Sequence, residues 1–166
     1  MKKALSLLSL MVLVGCDDSA PTGDGDKVIE RHLSRQLNDP TGGGTKTIER
    51  YPSGQKLFEG YLTNDGSRVG VWTRYYENGQ KQEEGSYMAG KQEGVWTGWH
   101  RNGQKLMKCS FKAGRKEGVC TFWYENGQKS LETTFKADSR EGVQTIWDRQ
   151  GNVTRVKTYK NDELIK

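Results

Sequence analysis

Bulky and polar residues alternate along the chain from Lys46 onward, in runs too short for helix. Val71, Thr73 and Tyr75 fall on one side of such a run, Trp72, Arg74 and Tyr76 on the other. Period-two alternation of β-branched and aromatic residues predicts strands. The runs end in the same punctuation: YYENGQK (75–81), WHRNGQK (99–105) and WYENGQK (123–129), 24 residues apart. Asn-Gly predicts a two-residue type I′ hairpin loop, because both residues tolerate positive φ. KAGRKEG (112–118) predicts the turn that follows each return strand.

Self-similarity at a fixed period marks a repeat architecture. Blocks 71–94, 95–118, 119–142 and 143–166 align without a gap, and 46–70 aligns with one extra residue near Asp65. Each block reads as one β-hairpin. The expected fold is all-β: an antiparallel meander of about ten strands built from five hairpin repeats. It forms a twisted single-layer sheet in which stacking between neighbours replaces a central core.

With a two-residue loop, residues 96, 98 and 100 share a first face with 105, 107, 109 and 111. Residues 95, 97 and 99 share the second face with 106, 108 and 110. The second face then repeats a Val-Thr-Trp triplet (Val95, Thr97, Trp99; Val119, Thr121, Trp123; Val143, Thr145, Trp147), with Tyr75 earlier. The first carries a ladder of Tyr87, Phe111, Phe135 and Tyr159. Gly60 is expected opposite Trp72, and Gly85 opposite Trp96, an aromatic covering bare backbone. Thr133 should meet Gln144, and Cys109 should meet Cys120. Opposed residues on antiparallel strands lie about 4.5–5.5 Å apart, within disulfide range. A Cys109–Cys120 disulfide is therefore expected in an oxidising compartment, two half-buried thiols being the alternative.

Hydrophobic residues make up 33% of the chain, low for a packed two-layer core, yet all five Trp and all seven Tyr lie within 46–166. Segment 17–45 holds three basic and six acidic residues, against 21 and 15 in 46–166. The excess of 21 − 15 = +6 in the repeats alternates with Glu instead of clustering, which reads as a solvated face and not as a nucleic-acid site.

The start, MKKALSLLSLMVLVGC, has two lysines and then an apolar stretch over 4–15, too short to span a bilayer. Its end, Leu13-Val14-Gly15-Cys16, resembles the lipobox of bacterial lipoproteins. The resemblance implies a signal peptide over 1–15 and a lipid anchor on Cys16; an ordinary cleaved signal or a buried N-terminal helix is the alternative. Asp17-Asp18 look like an inner-membrane retention signal, so the chain is expected to face the periplasm from the inner membrane, the outer membrane being the alternative. Residues 16–45 add a Pro/Gly/Asp-rich tether and, over 27–37, a short capping element of uncertain type.

The stretch GVWTRYYENGQKQEEGSYMAGKQEG (70–94) resembles the bacterial MORN-repeat-variant family, whose G-x-W-x-x-Y-Y-x-N-G-x-K core is filled by Gly70, Trp72, Tyr75, Tyr76, Asn78, Gly79 and Lys81. The resemblance extends over all five repeats. Cys120 stands where Trp is usual, and the last repeat departs with Gln144, Asp148 and Gln150-Gly151, as a terminal cap would. The resemblance implies a β-hairpin sheet and a binding role, since many members look like antitoxin or immunity proteins.

Catalytic chemistry is not expected. His32 and His100 lie in different regions, and no Ser/His/Asp order, metal-spaced Cys/His set or phosphate loop occurs. No enzyme activity, cofactor or metal is therefore anticipated. The expected function is a protein-binding immunity lipoprotein that occludes a toxin acting in the periplasm on membrane lipid or cell wall. A structural envelope lipoprotein that uses the sheet as a platform is the alternative, and sugar binding by exposed aromatics a third reading. Recognition of one irregular partner needs side chains that differ between repeats. Trp72, Arg74, Tyr76, Trp96, His100, Phe122 and Tyr124 form such a row on the first face and are the expected partner contacts.

Overall fold

A computed structural model describes residues 44–166. The signal segment, Cys16, the tether and the 27–37 element lie outside the described residues. Five hairpins follow one another. The first is β1 (Thr45–Arg50) and β2 (Lys56–Leu62); the second is β3 (Arg68–Tyr75) and β4 (Lys81–Met88). The third is β5 (Lys91–Trp99) and β6 (Lys105–Lys112). The fourth opens with two-residue β7 (Arg115–Lys116), continues as β8 (Gly118–Trp123) and returns as β9 (Lys129–Lys136). The fifth is β10 (Ser139–Trp147) and β11 (Val153–Lys160), followed by the short β12 (Glu163–Leu164). All described strands join one open antiparallel sheet in sequence order, with β7 paired to β6. The expected all-β repeat meander is the fold, and no helix occurs among the described residues.

The two kinds of turn exchange the roles that the sequence reading assigned. Each Asn-Gly site is a three-residue loop: Gly103 N–H donates to the His100 carbonyl, and His100 N–H to the Gln104 carbonyl. Gly103 has φ 83°, whereas Asn102 stays at negative φ. This is the loop in which a type I turn is followed by a left-handed glycine. Asn102 instead uses its Oδ1 to accept the Gln104 N–H at 3.0 Å. The two-residue loops with positive φ at both positions are Ala89-Gly90, Ala113-Gly114, Ala137-Asp138 and Asn161-Asp162. Alanine carries no turn signal of its own. It is held there partly by carboxylates of the preceding repeat: Glu93 accepts the Ala113 N–H, and Glu117 the Ala137 N–H.

The longer loop moves one residue across the sheet. Gly98 pairs with Met107, but Trp99 pairs with Lys105, a one-residue shift. Lys105, expected on the first face, therefore lies opposite Trp99 on the second, with its ammonium 6.0 Å from the Trp123 ring centre. The other faces stand as read.

Each repeat also contains two extra residues on its outgoing strand. Between β4 and β5, Ser86 pairs with Glu93 and then Glu84 with Thr97, so β4 advances two residues while β5 advances four. Gly94, at φ 70°, lies in this bulge. An insertion of two keeps every side chain on its own face, where an insertion of one would reverse them. In the fourth hairpin the same bulge brings Cys120, and not Gly118, opposite Cys109. The two are joined as a disulfide with Cα atoms 4.2 Å apart.

Three expected outcomes follow from these contacts. A Cβ on Gly85 would lie 2.2 Å from the Trp96 ring, so Gly85→Ala should cost about 1–3 kcal/mol in urea denaturation. Ala113, at φ 50°, is strained, and Ala113→Gly should raise the denaturation midpoint by about 1 kcal/mol of stability. The disulfide closes a loop with sequence separation 11. Reduction should therefore lower stability by roughly 3 kcal/mol, read as a fall in the melting temperature with dithiothreitol. An unchanged melting temperature after complete reduction would remove the structural role of this bond.

Candidate partner-binding face

Trp72 and Trp96, expected at the centre of the partner surface, are 6% and 4% exposed. They are the core of this single-layer sheet. Each indole lies flat on a glycine of the preceding strand, Gly60 or Gly85, where any side chain would collide. Their ring nitrogens donate to the Tyr61 carbonyl at 3.1 Å and the Ser86 carbonyl at 3.2 Å. Tyr87 stands edge-on to both, 6.0 Å and 5.0 Å away, and Phe58 and Phe111 extend the chain of rings. Neither tryptophan presents the area that a hot spot needs.

Tyr76, His100 and Tyr124 are also engaged. Tyr76 Oη donates to the Trp99 carbonyl at 2.7 Å, and Tyr124 Oη to the Trp147 carbonyl at 2.8 Å. His100 Nε2 lies 2.9 Å from the Trp123 carbonyl, a hydrogen bond that places its proton on Nε2. Tyr51 makes the same bond to Tyr75. These four side chains tie the end of each repeat to the next, so their recurrence is structural. Arg74 and Phe122 are the two members of the expected row that remain for a partner, exposed and half-buried respectively.

Those two belong to a different row, running across the strands at the Asn-Gly end of the first face. Arg74 pairs with Phe58 on one side and Glu83 on the other, and Glu83 with Gly98. Gly98 pairs with Met107, Met107 with Phe122, and Phe122 with Leu131. Leu131 pairs with Ile146, and Ile146 with Arg155. No residue type repeats between equivalent positions: the outgoing strands offer Arg, Gly, Phe and Ile, the return strands Phe, Glu, Met, Leu and Arg. The row expected from the sequence also consists of columns that change from block to block, but five of its seven residues are rings that the sheet buries or ties to the next repeat.

A shallow groove of about 280 Å³ opens at the N-terminal part of this face, lined by Phe58, Arg68, Trp72, Arg74, Glu83, Tyr87 and Trp96 among others. The chain fills much of its aromatic wall itself. The Arg68 guanidinium lies 4.5 Å from the Trp72 ring centre and 5.4 Å from Tyr87, and donates to Tyr87 Oη at 3.1 Å. Burial pushes the Glu83 carboxyl above its usual range, with the Arg74 charge opposing the shift.

The second face is regular. Lys56, Lys81 and Lys129 pair with Glu59, Glu84 and Glu132. Each of these lysines also stands over the aromatic ring of the following repeat: Tyr75, Trp99 and Trp147. Burial would raise Glu59, but hydrogen bonds from Tyr75 and Lys56 and the nearby ammonium charges carry it below the usual range. Burial, and then the bond to Glu59, push the Tyr75 hydroxyl up to about 12. Among the described residues no group of three or more His, Cys, Asp or Glu is placed to hold a metal ion.

Among protein-family models, that of the MORN repeat variant matches residues 68–88, 92–113, 116–137 and 140–161. The chain belongs to the MORN repeat variant family. Each matched segment runs from just before the bulge on the outgoing strand to the end of the return strand or the turn after it, so the family unit spans one strand pair across the glycine-bearing three-residue loop. The β1–β2 hairpin lies outside the matched segments but carries the same loop and the Tyr51 tie. Membership makes this a repeat-based binding or scaffold protein. No curated protein matches the chain.

Glu83 supplies a test of the groove. Its folded pKa is raised, so its contribution is least unfavourable below the unfolded value and worsens as pH rises through the folded one. Glu83→Gln should therefore raise the melting temperature at pH 7, and the gain should fade as pH falls below about 4. A gain of equal size at both pH values would show that the charge is not its source.

Proposed function

We propose that this MORN repeat variant protein is a non-enzymatic immunity lipoprotein. It is anchored through Cys16, faces the periplasm, and occludes a toxin that acts on membrane lipid or cell wall. The observation that carries the binding role is the row from Phe58 to Arg155. It is the part of the sheet where neighbouring repeats differ in charge and size. Recognition of one irregular partner needs such differences, whereas a surface that repeats every 24 residues offers the same groups at every step. The envelope location rests on the sequence of residues 1–18 and restricts the toxin to one that works outside the cytoplasm.

The second reading, a scaffold for envelope components, draws on the opposite face. Val71, Val95, Val119 and Val143 stand there in a regular line, each 50–54% exposed. A regular line suits a repetitive partner.

A strain lacking this protein should become sensitive to competitor cells that deliver a toxin of this kind. Complementation with Phe122→Asp should fail to protect, while Val119→Asp on the second face should protect fully. Equal expression and folding of the two variants is checked by circular dichroism. Cys16→Ala should abolish acyl labelling and shift the protein out of the membrane fraction. Protection lost by the valine variant and kept by the phenylalanine variant would favour the scaffold face as the binding face. A deletion strain with no added sensitivity would overturn the immunity reading.

A further inference from the structure

Resting on the first face as the partner surface, we propose that its occupant is an acidic amphipathic helix of the partner protein, laid across the strands along the variable row. Charge is the first argument. At strand positions of this face stand Arg68, Arg74, Lys116, Arg140, Arg155 and Lys157, against the acids Glu49 and Glu83. Arg140 is held by Asp162 at 2.8 Å, and Arg68 and Lys116 lie over rings of the sheet. Arg74, Arg155 and Lys157 have no ion pair within 4.0 Å among the described residues, and they stand toward the two ends of the row. Glu49 and Glu83 flank Arg74 at the N-terminal end, so it is the end at Arg155 and Lys157 that is built to receive carboxylates.

Shape is the second argument. Met107, Phe122, Leu131 and Ile146 are consecutive across β6, β8, β9 and β10, three strand spacings or roughly 14 Å. All four are half-buried, with their backbones paired on both sides. Gly98 adjoins Met107 and leaves a step in the surface between this strip and Glu83. A segment lying on the face of a sheet finds no backbone partners there, because the strands direct their N–H and C=O groups sideways into the ladder. It must satisfy its own, as a helix does. About nine helical residues cover the apolar strip at 1.5 Å each. Carboxylates just beyond the Ile146 end then reach Arg155 and Lys157 on the adjacent strand.

The test uses the chain from residue 17 onward and an 18-residue synthetic helix with one leucine face and one glutamate face. Two comparison peptides are the same helix with lysine for glutamate, and polyglutamate of equal length. Amide shift mapping should show the leucine/glutamate helix on β6 and β8–β11, on the side of Phe122, with binding weakened at least tenfold by 0.5 M salt. Leu131→Asp should weaken it at least tenfold. Should that variant fail to fold, the surface pair Arg155→Glu and Lys157→Glu stands in: it should lose the glutamate helix and gain the lysine one. Equal binding of polyglutamate would overturn the apolar strip, and equal binding of the lysine helix would overturn the charge argument. Shifts confined to the valine side, or no binding by any peptide, would overturn the proposal. Peptide binding in a protein that protects no cell would refute the immunity reading and leave this inference standing.

Discussion

The contact on which the sheet depends is an indole laid on a bare glycine of the neighbouring strand. A single layer has no second layer to bury its apolar side chains, so burial must happen within the surface itself. Gly60 and Gly85 leave the backbone open, and Trp72 and Trp96 lie down in the space, 6% and 4% exposed with no covering element among the described residues. Each repeat thus completes the core of the one before it. That dependence explains why stability resides in the interfaces between repeats and not in any hairpin alone.

The same dependence explains where the repeats break their own rule. In the third and fourth hairpins the Gly and Trp positions are both cysteine, fully buried, and a covalent bond does what the indole does elsewhere. At the next equivalent position Thr133 is 3% exposed and faces Gln144. The core therefore thins toward the C-terminus. There the variable row turns apolar, so apolar groups that the core no longer uses are carried by Phe122, Leu131 and Ile146. The ladder of ties ends as deliberately: Asp148 stands where Tyr124 and its equivalents donate to the next repeat. It has no donor to offer, and its carboxylate instead accepts the Gln150 and Asn152 N–H groups of its own turn.

The division between the faces bears on function. Lysine, glutamate, threonine and aromatic residues recur together on the second face because they bind one another from repeat to repeat. Its departures are Lys108 in place of glutamate in the third repeat and, in the terminal repeats, Ile48 in place of threonine and Val153 and Val156 in place of lysine and glutamate. The first face combines a rigid ring core with a neighbouring row that differs at every strand. A rigid base beneath variable side chains is an arrangement that lets a repeat protein hold one partner in one register.

Period, hairpin count, strand alternation and the Gly–Trp and Cys–Cys pairings were legible in the sequence, because each is a local rule written several times over. Repetition averages out the ambiguity of any single block. The type of each turn was not legible. Asn-Gly is compatible with two loops, and the three-residue loop wins because glycine alone takes positive φ while asparagine bonds its own turn. Ala113, at positive φ, donates its N–H to Glu93, 20 residues away, a contact that no local reading weighs. Nor could the chain alone separate aromatics that bind from aromatics that pack. Trp72 and Tyr76 look like interface residues by type, but burial on a glycine and a hydrogen bond to the next repeat's backbone are properties of strands already side by side. The sequence by itself determined the repeating unit. Only the tertiary structure decided which side chains the repeats use on one another and which they leave unused, because that choice is made across strands, between residues far apart along the chain.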